Sequence, residues 1–189
     1  MKQKRAYQYR IYPTDEQKQI LARTFGCARF VYNWALRLRT DAYYKEHKRV
    51  SYHETSAALT RLKQQDAYSW LNEVSSVPTQ QALRHLDKAF RNFFEGRTRY
   101  PTFKKKRGYQ AAEYTTSAFK WDGTSLTLAK MTEPLDIVWS RPLPEGARPT
   151  TVTVTKDRAE RYFVSILGEE NIKPLPMVNK QVGLDLGLK

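Results

Sequence analysis

The stretch "RAYQYRIY", residues 5–12, alternates Tyr7, Tyr9 and Ile11 on one face and reads as a β-strand. Pro13 ends it, and no second strand follows nearby. A single strand cannot satisfy its backbone hydrogen-bonding groups or its apolar face alone. The patterning between residues 14 and 96 is helical, and strand-like alternation returns only after residue 110. The chain must therefore carry its start back to its later part. The economical topology joins residues 5–12 to those later strands and inserts the helices between them.

The inserted helices carry their own signals. Thr14 is a good N-cap, with Gln17 three residues on to complete a capping box and acids in the first turn. Leu21, Phe25, Ala28, Tyr32 and Ala35 follow at helical spacing to about Lys45, as one helix or as a helix-turn-helix with Gly26 at the break. Arg23, Arg29, Arg37 and Arg39 lie along this stretch. A second helix opens at Ser51, with Glu54 as capping partner and with Tyr52, Ser56, Leu59 and Lys63 on one face. Pro78 suits the first turn of a third helix and Gly96 its C-terminal stop. On this helix Ala82, Leu86, Ala89, Phe90 and Phe93 share an apolar arc that must be core. Gln80, Arg84, Lys88 and Arg91 occupy the opposite arc, an ordinary solvated face or a nucleic-acid surface.

Beyond Gly96, "RTRYPTFKKKRGY" concentrates Arg97, Arg99, Lys104, Lys105, Lys106 and Arg107 around Tyr100, Phe103 and Tyr109. Cations this dense repel unless a polyanion neutralises them. The tract is internal and studded with aromatics, which favours an ordered phosphate-contacting loop over a flexible tail. The charge of the whole chain agrees. Net charge is +14, and residues 1–110 hold 23 basic and 9 acidic residues while residues 111–189 hold 10 of each. An excess confined to one part of the chain, interleaved with aromatics that can stack on bases, is the footprint of a nucleic-acid-binding surface.

Several classes are disfavoured. The single cysteine, Cys27, cannot build a disulfide framework or a cysteine-based zinc site within one chain. No apolar run approaches a membrane span, and the basic N-terminus lacks the apolar centre of a signal peptide. A cytoplasmic, nucleoid-associated protein that does not engage membranes is expected, with a monomer favoured.

After residue 110, "AEYTTSAFKW", "SLTLAKM", "LDIVWS", "TTVTVT" and "RYFVSIL" are short, β-branched and aromatic, with turn signals at Asp122-Gly123 and Glu145-Gly146. They predict a small barrel or antiparallel sheet. "NIKPLPMVN" reads as an extended linker, and "QVGLDLGLK" as a strand that presents Asp185 between glycines. Glycine lets a ligand approach closely, and a carboxylate on such a strand can bind Mg²⁺, but one carboxylate cannot hold the two ions of a two-metal nuclease.

"YRIYPTDEQKQILARTFGCARFVYNWAL", "FFEGRTRYPTFKKKRG" and "VGLDLGLK" occur in this order, and together the chain resembles the TnpB (OrfB) family, RNA-guided DNA endonucleases encoded by insertion sequences and related to type V CRISPR effectors. The resemblance implies an α+β fold: an OB-like β-barrel, the wedge, split by an inserted α-helical recognition domain and followed by the first strand of a RuvC (RNase H-like) domain. The implied divisions are 1–13 for the first barrel strand, 14–96 for the recognition domain with its helix-turn-helix-like start, 97–178 for the barrel, and 179–189 for the start of a truncated RuvC domain. Asp185 is then the first RuvC carboxylate. The family's remaining catalytic carboxylates and its four-cysteine zinc element are absent from these 189 residues. Mg²⁺ belongs to the full-length family, no cofactor or zinc is expected for this chain, and the chain is expected to bind nucleic acid without cutting it. The resemblance also implies guide RNA and double-stranded DNA as partners. Segments that read a short motif beside the target align with Tyr52, Ser56, Ser76, Gln80, Thr115 and Thr116. Tyr52, Ser56 and Gln80 carry the family's residue types, whereas Ser76 stands where a basic residue can occur, which implies a different motif. Gln pairs bidentately with adenine, and Ser or Thr can contact several bases. Arg84, Lys88 and Arg91, with the 97–107 tract, are the expected phosphate and RNA contacts. The competing readings are a helix-turn-helix repressor acting without RNA and an inert remnant with a merely structural core.

Overall fold

A computed structural model describes residues 2–144, 146–171 and 183. The first strand, β1 (Lys2–Ile11), is followed by three helices: α1 (Asp15–Glu46), α2 (Tyr52–Leu62) and α3 (Ser76–Phe94). A short 3-10 helix, Asp66–Asn72, lies between the last two. Six strands complete the described chain: β2 (Gln110–Thr115), β3 (Phe119–Trp121), β4 (Leu126–Leu128), β5 (Ile137–Val138), β6 (Arg148–Lys156) and β7 (Tyr162–Asn171).

The lone first strand finds its partner at the far side of the helices. β1 pairs antiparallel with β7, from Lys2 opposite Asn171 to Ile11 opposite Tyr162. Closing so long an excursion is tolerable because loop entropy grows only logarithmically with length. The sheet order is β2-β6-β7-β1-β5, with β3-β4 a separate hairpin. Among the described residues β2 and β5 are edge strands that do not pair with each other, so this sheet is open. The architecture is α+β with an antiparallel sheet. The expected turn at Asp122-Gly123 is present: Gly123 has φ +104°, and the Asp122 carboxylate accepts the Thr124 and Ser125 N–H groups at 2.8 and 2.7 Å. The other turn retains Gly146 at φ +72°, while Glu145 lies outside the described residues.

Two hydrophobic clusters hold the fold. In the first, Tyr9, Ile11, Tyr114, Val152, Val154, Val164 and Ile166 of the sheet meet Leu126 and Leu128 of the hairpin and Leu21 and Phe25 of α1. In the second, Val31, Ala35 and Leu36 of α1 pack with Leu59 of α2, Leu71, and Leu83, Leu86 and Phe90 of α3. Each fully buried Val, Leu or Ile contributes roughly 1.5–3 kcal/mol. α1 runs through both clusters and couples helices to sheet.

Its start is fixed by the expected capping box. Gln17 N–H donates to Thr14 Oγ1 at 3.3 Å and Thr14 N–H to Gln17 Oε1 at 3.1 Å. The Gln17 side chain also donates to the Glu133 and Pro134 carbonyls at 3.2 and 3.1 Å, tying the helix to the segment before β5. Gly26 does not interrupt the helix, which is continuous for 32 residues. Glycine costs a helix interior about 1 kcal/mol relative to Ala. The buried stripe of Leu21, Phe25, Ala28, Val31 and Tyr32 runs across it unbroken and outweighs that cost. Among the described residues no helix is long and apolar enough to cross a membrane.

Candidate nucleic-acid interface

α2 and α3 lie antiparallel and present one surface. At one end the Arg84 guanidinium sits 5.5 Å from the centroid of the Tyr52 ring, and at the other Lys63 Nζ reaches Thr79 Oγ1 at 3.5 Å. One turn onward along α2 from Tyr52 is Ser56; one turn back along α3 from Arg84 is Gln80. Both steps run the same way, so Ser56 and Gln80 fall in the row after Tyr52 and Arg84. Gln80, Arg84, Lys88 and Arg91 are all exposed, and Tyr52 and Ser56 half-buried. The capping box at Ser51 fixes the start of α2: Glu54 N–H donates to Ser51 Oγ at 3.2 Å, and Ser51 N–H to Glu54 Oε2 at 2.8 Å. The bond from the Ser51 backbone holds the Glu54 carboxyl below its ordinary pKa. Ser76 is exposed in the first turn of α3, where its carbonyl accepts Thr79 Oγ1 at 2.7 Å. At the other end Gly96, with φ +70°, donates to the Phe93 carbonyl at 3.0 Å and stops the helix as expected.

Thr115 and Thr116 are placed by a longer argument. α1 and α3 run in the same direction, since Arg23 pairs with Glu73 at 3.6 Å and Arg39 with Asp87 at 3.2 Å. β2 opposes them: Arg29 of α1 donates to Gln110 at 2.9 Å, and Leu21 and Phe25, a turn or two earlier, share a core with Tyr114. His85 of α3 meets Glu113 of β2 at 2.9 Å. Two residues beyond Glu113, Thr115 therefore lies toward the N-terminal end of α3, which carries Ser76 and Gln80. Thr115 is half-buried and Thr116 exposed.

The basic tract is anchored rather than loose. Asn33 of α1 donates to the Lys104 carbonyl at 2.9 Å and accepts the Lys104 N–H at 2.8 Å. The Gln110 side chain donates to the Lys106 and Gly108 carbonyls at 2.7 and 3.0 Å. Lys104 Nζ lies 4.4 Å from the Tyr32 ring centroid. Although the residue as a whole is exposed, its ammonium sits in a desolvated notch, and burial lowers its pKa. Arg91 and Arg97 are partly neutralised, by Asp87 at 3.2 Å and Glu95 at 3.0 Å. Among the described residues no ion pair joins Arg84, Lys88, Arg99, Lys104, Lys105, Lys106 or Arg107 to a carboxylate. The α1 arginines behave differently. Arg23, Arg37 and Arg39 all pair with carboxylates, and Arg39 also lies 4.4 Å over Phe90. Arg39 ties α1 to α3, Arg23 ties α1 to the residue three before α3, and Arg37 pairs within α1.

Sequence reasoning missed Asn33 and Gln110, which hold the tract from outside it; polar residues carry no local signal for a tertiary bond. It also passed over Tyr43 and Tyr44, although aromatics beside the basic run "KEHKR" were a usable sign.

Asp185 lies outside the described residues. Among the described residues no three His, Cys, Asp or Glu side chains gather to hold a metal ion. Cys27 is buried, and desolvation pushes its thiol up to about 11, which leaves it an inert core residue.

Fold and surface together define a basic α+β protein with a two-helix polar face and a cationic loop anchored on α1. A family model described as a helix-turn-helix domain, of the OrfB type, matches residues 1–48, the segment that comprises β1 and α1. A Streptomyces pristinaespiralis protein provisionally named an RNA-guided DNA endonuclease is 60% identical over 98% of this chain and 46% of its own length. InsQ of Escherichia coli K12, named likewise, is 28% identical over 100% of this chain and 46% of its own length. The virulence protein VsdF of Salmonella dublin is 34% identical over 55% of this chain and 95% of its own length. The chain belongs to the TnpB (OrfB) family, associated with insertion sequences. It spans about half the length of the two relatives named as endonucleases.

Proposed function

We propose that this chain is the recognition part of a TnpB-like RNA-guided DNA endonuclease, which grips guide RNA through its basic loop and reads a short target-adjacent duplex motif through the α2/α3 face. The open sheet and its hairpin serve as the wedge, a barrel-like support for the inserted helices. The observation that carries the reading is the loop from Lys104 to Arg107: its backbone is held in place by Asn33 and Gln110, yet among the described residues its cations pair with no carboxylate. An ordered, uncompensated cluster of this kind is stable next to a polyanion and strained without one. Tyr52, Ser56 and Gln80 on the α2/α3 surface, with Ser76 in the first turn of α3 and Thr115 and Thr116 toward that end of the helix, support the reading of a duplex motif here. The names of the relatives support the choice of RNA and DNA as ligands.

The test is binding of single-stranded RNA and duplex DNA across a salt series. Replacing Lys104, Lys105, Lys106 and Arg107 by Ala is expected to weaken binding and to flatten the salt slope by about 0.7–0.9 per lost phosphate contact. An unchanged slope rejects the loop as a phosphate site. RNA that copurifies with the chain supports this reading over a DNA-only repressor. With guide RNA, matched DNA and Mg²⁺, the 189 residues are expected to bind without cleaving, and Asp185→Asn to leave binding unchanged. A lone carboxylate does not activate water for attack on a phosphodiester. Guide-dependent cleavage lost in Asp185→Asn would overturn that expectation.

A further inference from the structure

Where α1 and α3 end together, a second aromatic surface remains outside the motif-reading face, sharing only Tyr100 with the basic tract. It is a cleft of about 280 Å³ walled by Tyr43 and Tyr44 from α1, by Phe93 and Phe94 from α3, and by Tyr100 from the following loop. Its aromatic rings are ordered by one another: Tyr100 meets Phe93 and Phe90 edge-on at 5.2 and 5.5 Å, and Phe90 stacks on Phe94 at 6.3 Å. Yet Tyr44 is 73% exposed and Phe94 68% exposed. Large aromatics held rigid and left open to water mark a ligand surface more than a core. The charge of the lining narrows the ligand. It contains Arg39, Lys48 and Arg49 and no Asp or Glu. Asp87 engages Arg39, and Glu54 engages Lys48 at 3.6 Å. No ion pair holds Arg49 among the described residues, and its guanidinium lies 5.9 Å from the Phe94 ring centroid.

A flat apolar slot with the Arg49 guanidinium at its edge fits a planar aromatic group attached to an anion. We propose that this cleft takes an unpaired base of single-stranded RNA, stacked on Phe94 and Tyr44 with its flanking phosphate against Arg49. The volume suits one base and excludes a helix. Only a single strand offers the faces of its bases, which duplexes hide by stacking. The choice of RNA rests on the proposed function above. An aromatic side chain of a partner protein would fill the slot but leave Arg49 without a counter-charge.

The experiment measures binding of a uridine-rich single-stranded RNA to the 189-residue chain, its Phe94→Ala and Tyr44→Ala variants and Phe94→Trp. A duplex RNA and a DNA single strand of the same sequence serve as competitors. Both alanine variants are expected to bind the single strand about tenfold more weakly, with the salt slope unchanged and duplex binding unaffected, and Phe94→Trp to retain binding. Photocrosslinking of 5-iodouridine RNA is expected to label the peptides that carry Tyr43, Tyr44, Phe94 or Tyr100. If the wild-type chain binds no RNA at all, the proposed function fails and this inference with it. If it binds RNA but the variants bind equally well, or crosslinks fall elsewhere, only this inference fails. A DNA single strand that competes equally overturns the assignment to RNA. A dimer that sedimentation detects and Phe94→Ala dissolves reassigns the cleft to self-association.

Discussion

Asn33 holds both backbone polar groups of Lys104, accepting its N–H at 2.8 Å and donating to its carbonyl at 2.9 Å. The amide side chain thereby does for one loop residue what a neighbouring strand does in a sheet. Each such bond is worth about 0.5–1.5 kcal/mol net. Asn33→Ala is expected to leave the α1 helix intact, speed amide exchange across residues 103–108, and weaken RNA binding several-fold. The loop would then have to be ordered during binding. Exchange that matches the wild type would show that the loop is held by other contacts.

A continuous α1 makes an opposite prediction to a helix broken at Gly26. A Cβ at Gly26 would meet nothing within 4 Å, so Gly26→Ala is expected to stabilise the protein by up to about 1 kcal/mol. A urea titration reads this directly. Destabilisation would point to a turn at this position.

The features legible in the sequence were those fixed by local chemistry or by an unmet local need. β1 had to find a distant partner, and β7 is that partner. The Thr14/Gln17 and Ser51/Glu54 boxes and the Gly96 stop were readable because each is made within a few residues. The partial neutralisation of Arg91 by Asp87 was also readable, at four-residue spacing. What escaped depends on where distant elements meet: the Asn33 clamp, the antiparallel seating of α2 on α3, and the open edge between β2 and β5. Gly26 was misleading for a related reason. Its propensity is local, whereas the burial that overrides it comes from the sheet on one side and the helices on the other.

The contact between His85 and Glu113 is a pH-sensitive tie between α3 and the sheet. The bond from His85 is the main cause that holds the Glu113 carboxyl below its ordinary pKa; burial opposes it, and the charges of His85 and Lys88 add to it. A carboxyl with a lowered folded pKa is protonated first in the unfolded chain. The stabilisation is therefore present above the unfolded value near 4.5 and lost as pH falls through the lower folded one. Asp15, Glu54, Asp157 and Glu160 shift the same way, so the wild type alone does not isolate this pair. Glu113→Gln is expected to remove part of the acid-side loss, seen as a smaller drop in the urea midpoint below about pH 4.5. Parallel curves for the two proteins would assign no stabilising role to the pair.

Gln80 offers the sharpest division between reading and gripping. It is exposed one turn before Arg84, the residue whose guanidinium covers Tyr52. A glutamine at such a position can bond two edges of one adenine, a discrimination of about 1–3 kcal/mol against other bases. Arg84, by contrast, carries a charge that any phosphate can use. Gln80→Ala is expected to flatten the preference for a short duplex motif while affinity for random duplex changes little. Arg84→Ala is expected to weaken all duplexes alike and reduce the salt slope by about one contact. Tyr52→Phe keeps the ring under Arg84 and removes the hydroxyl, which separates base contact from ring support. Selection of bound sequences from a randomised duplex pool, repeated for the three variants, reads every outcome at once. If Gln80→Ala lowers affinity equally for every sequence, Gln80 belongs with the phosphate contacts and the motif is read elsewhere.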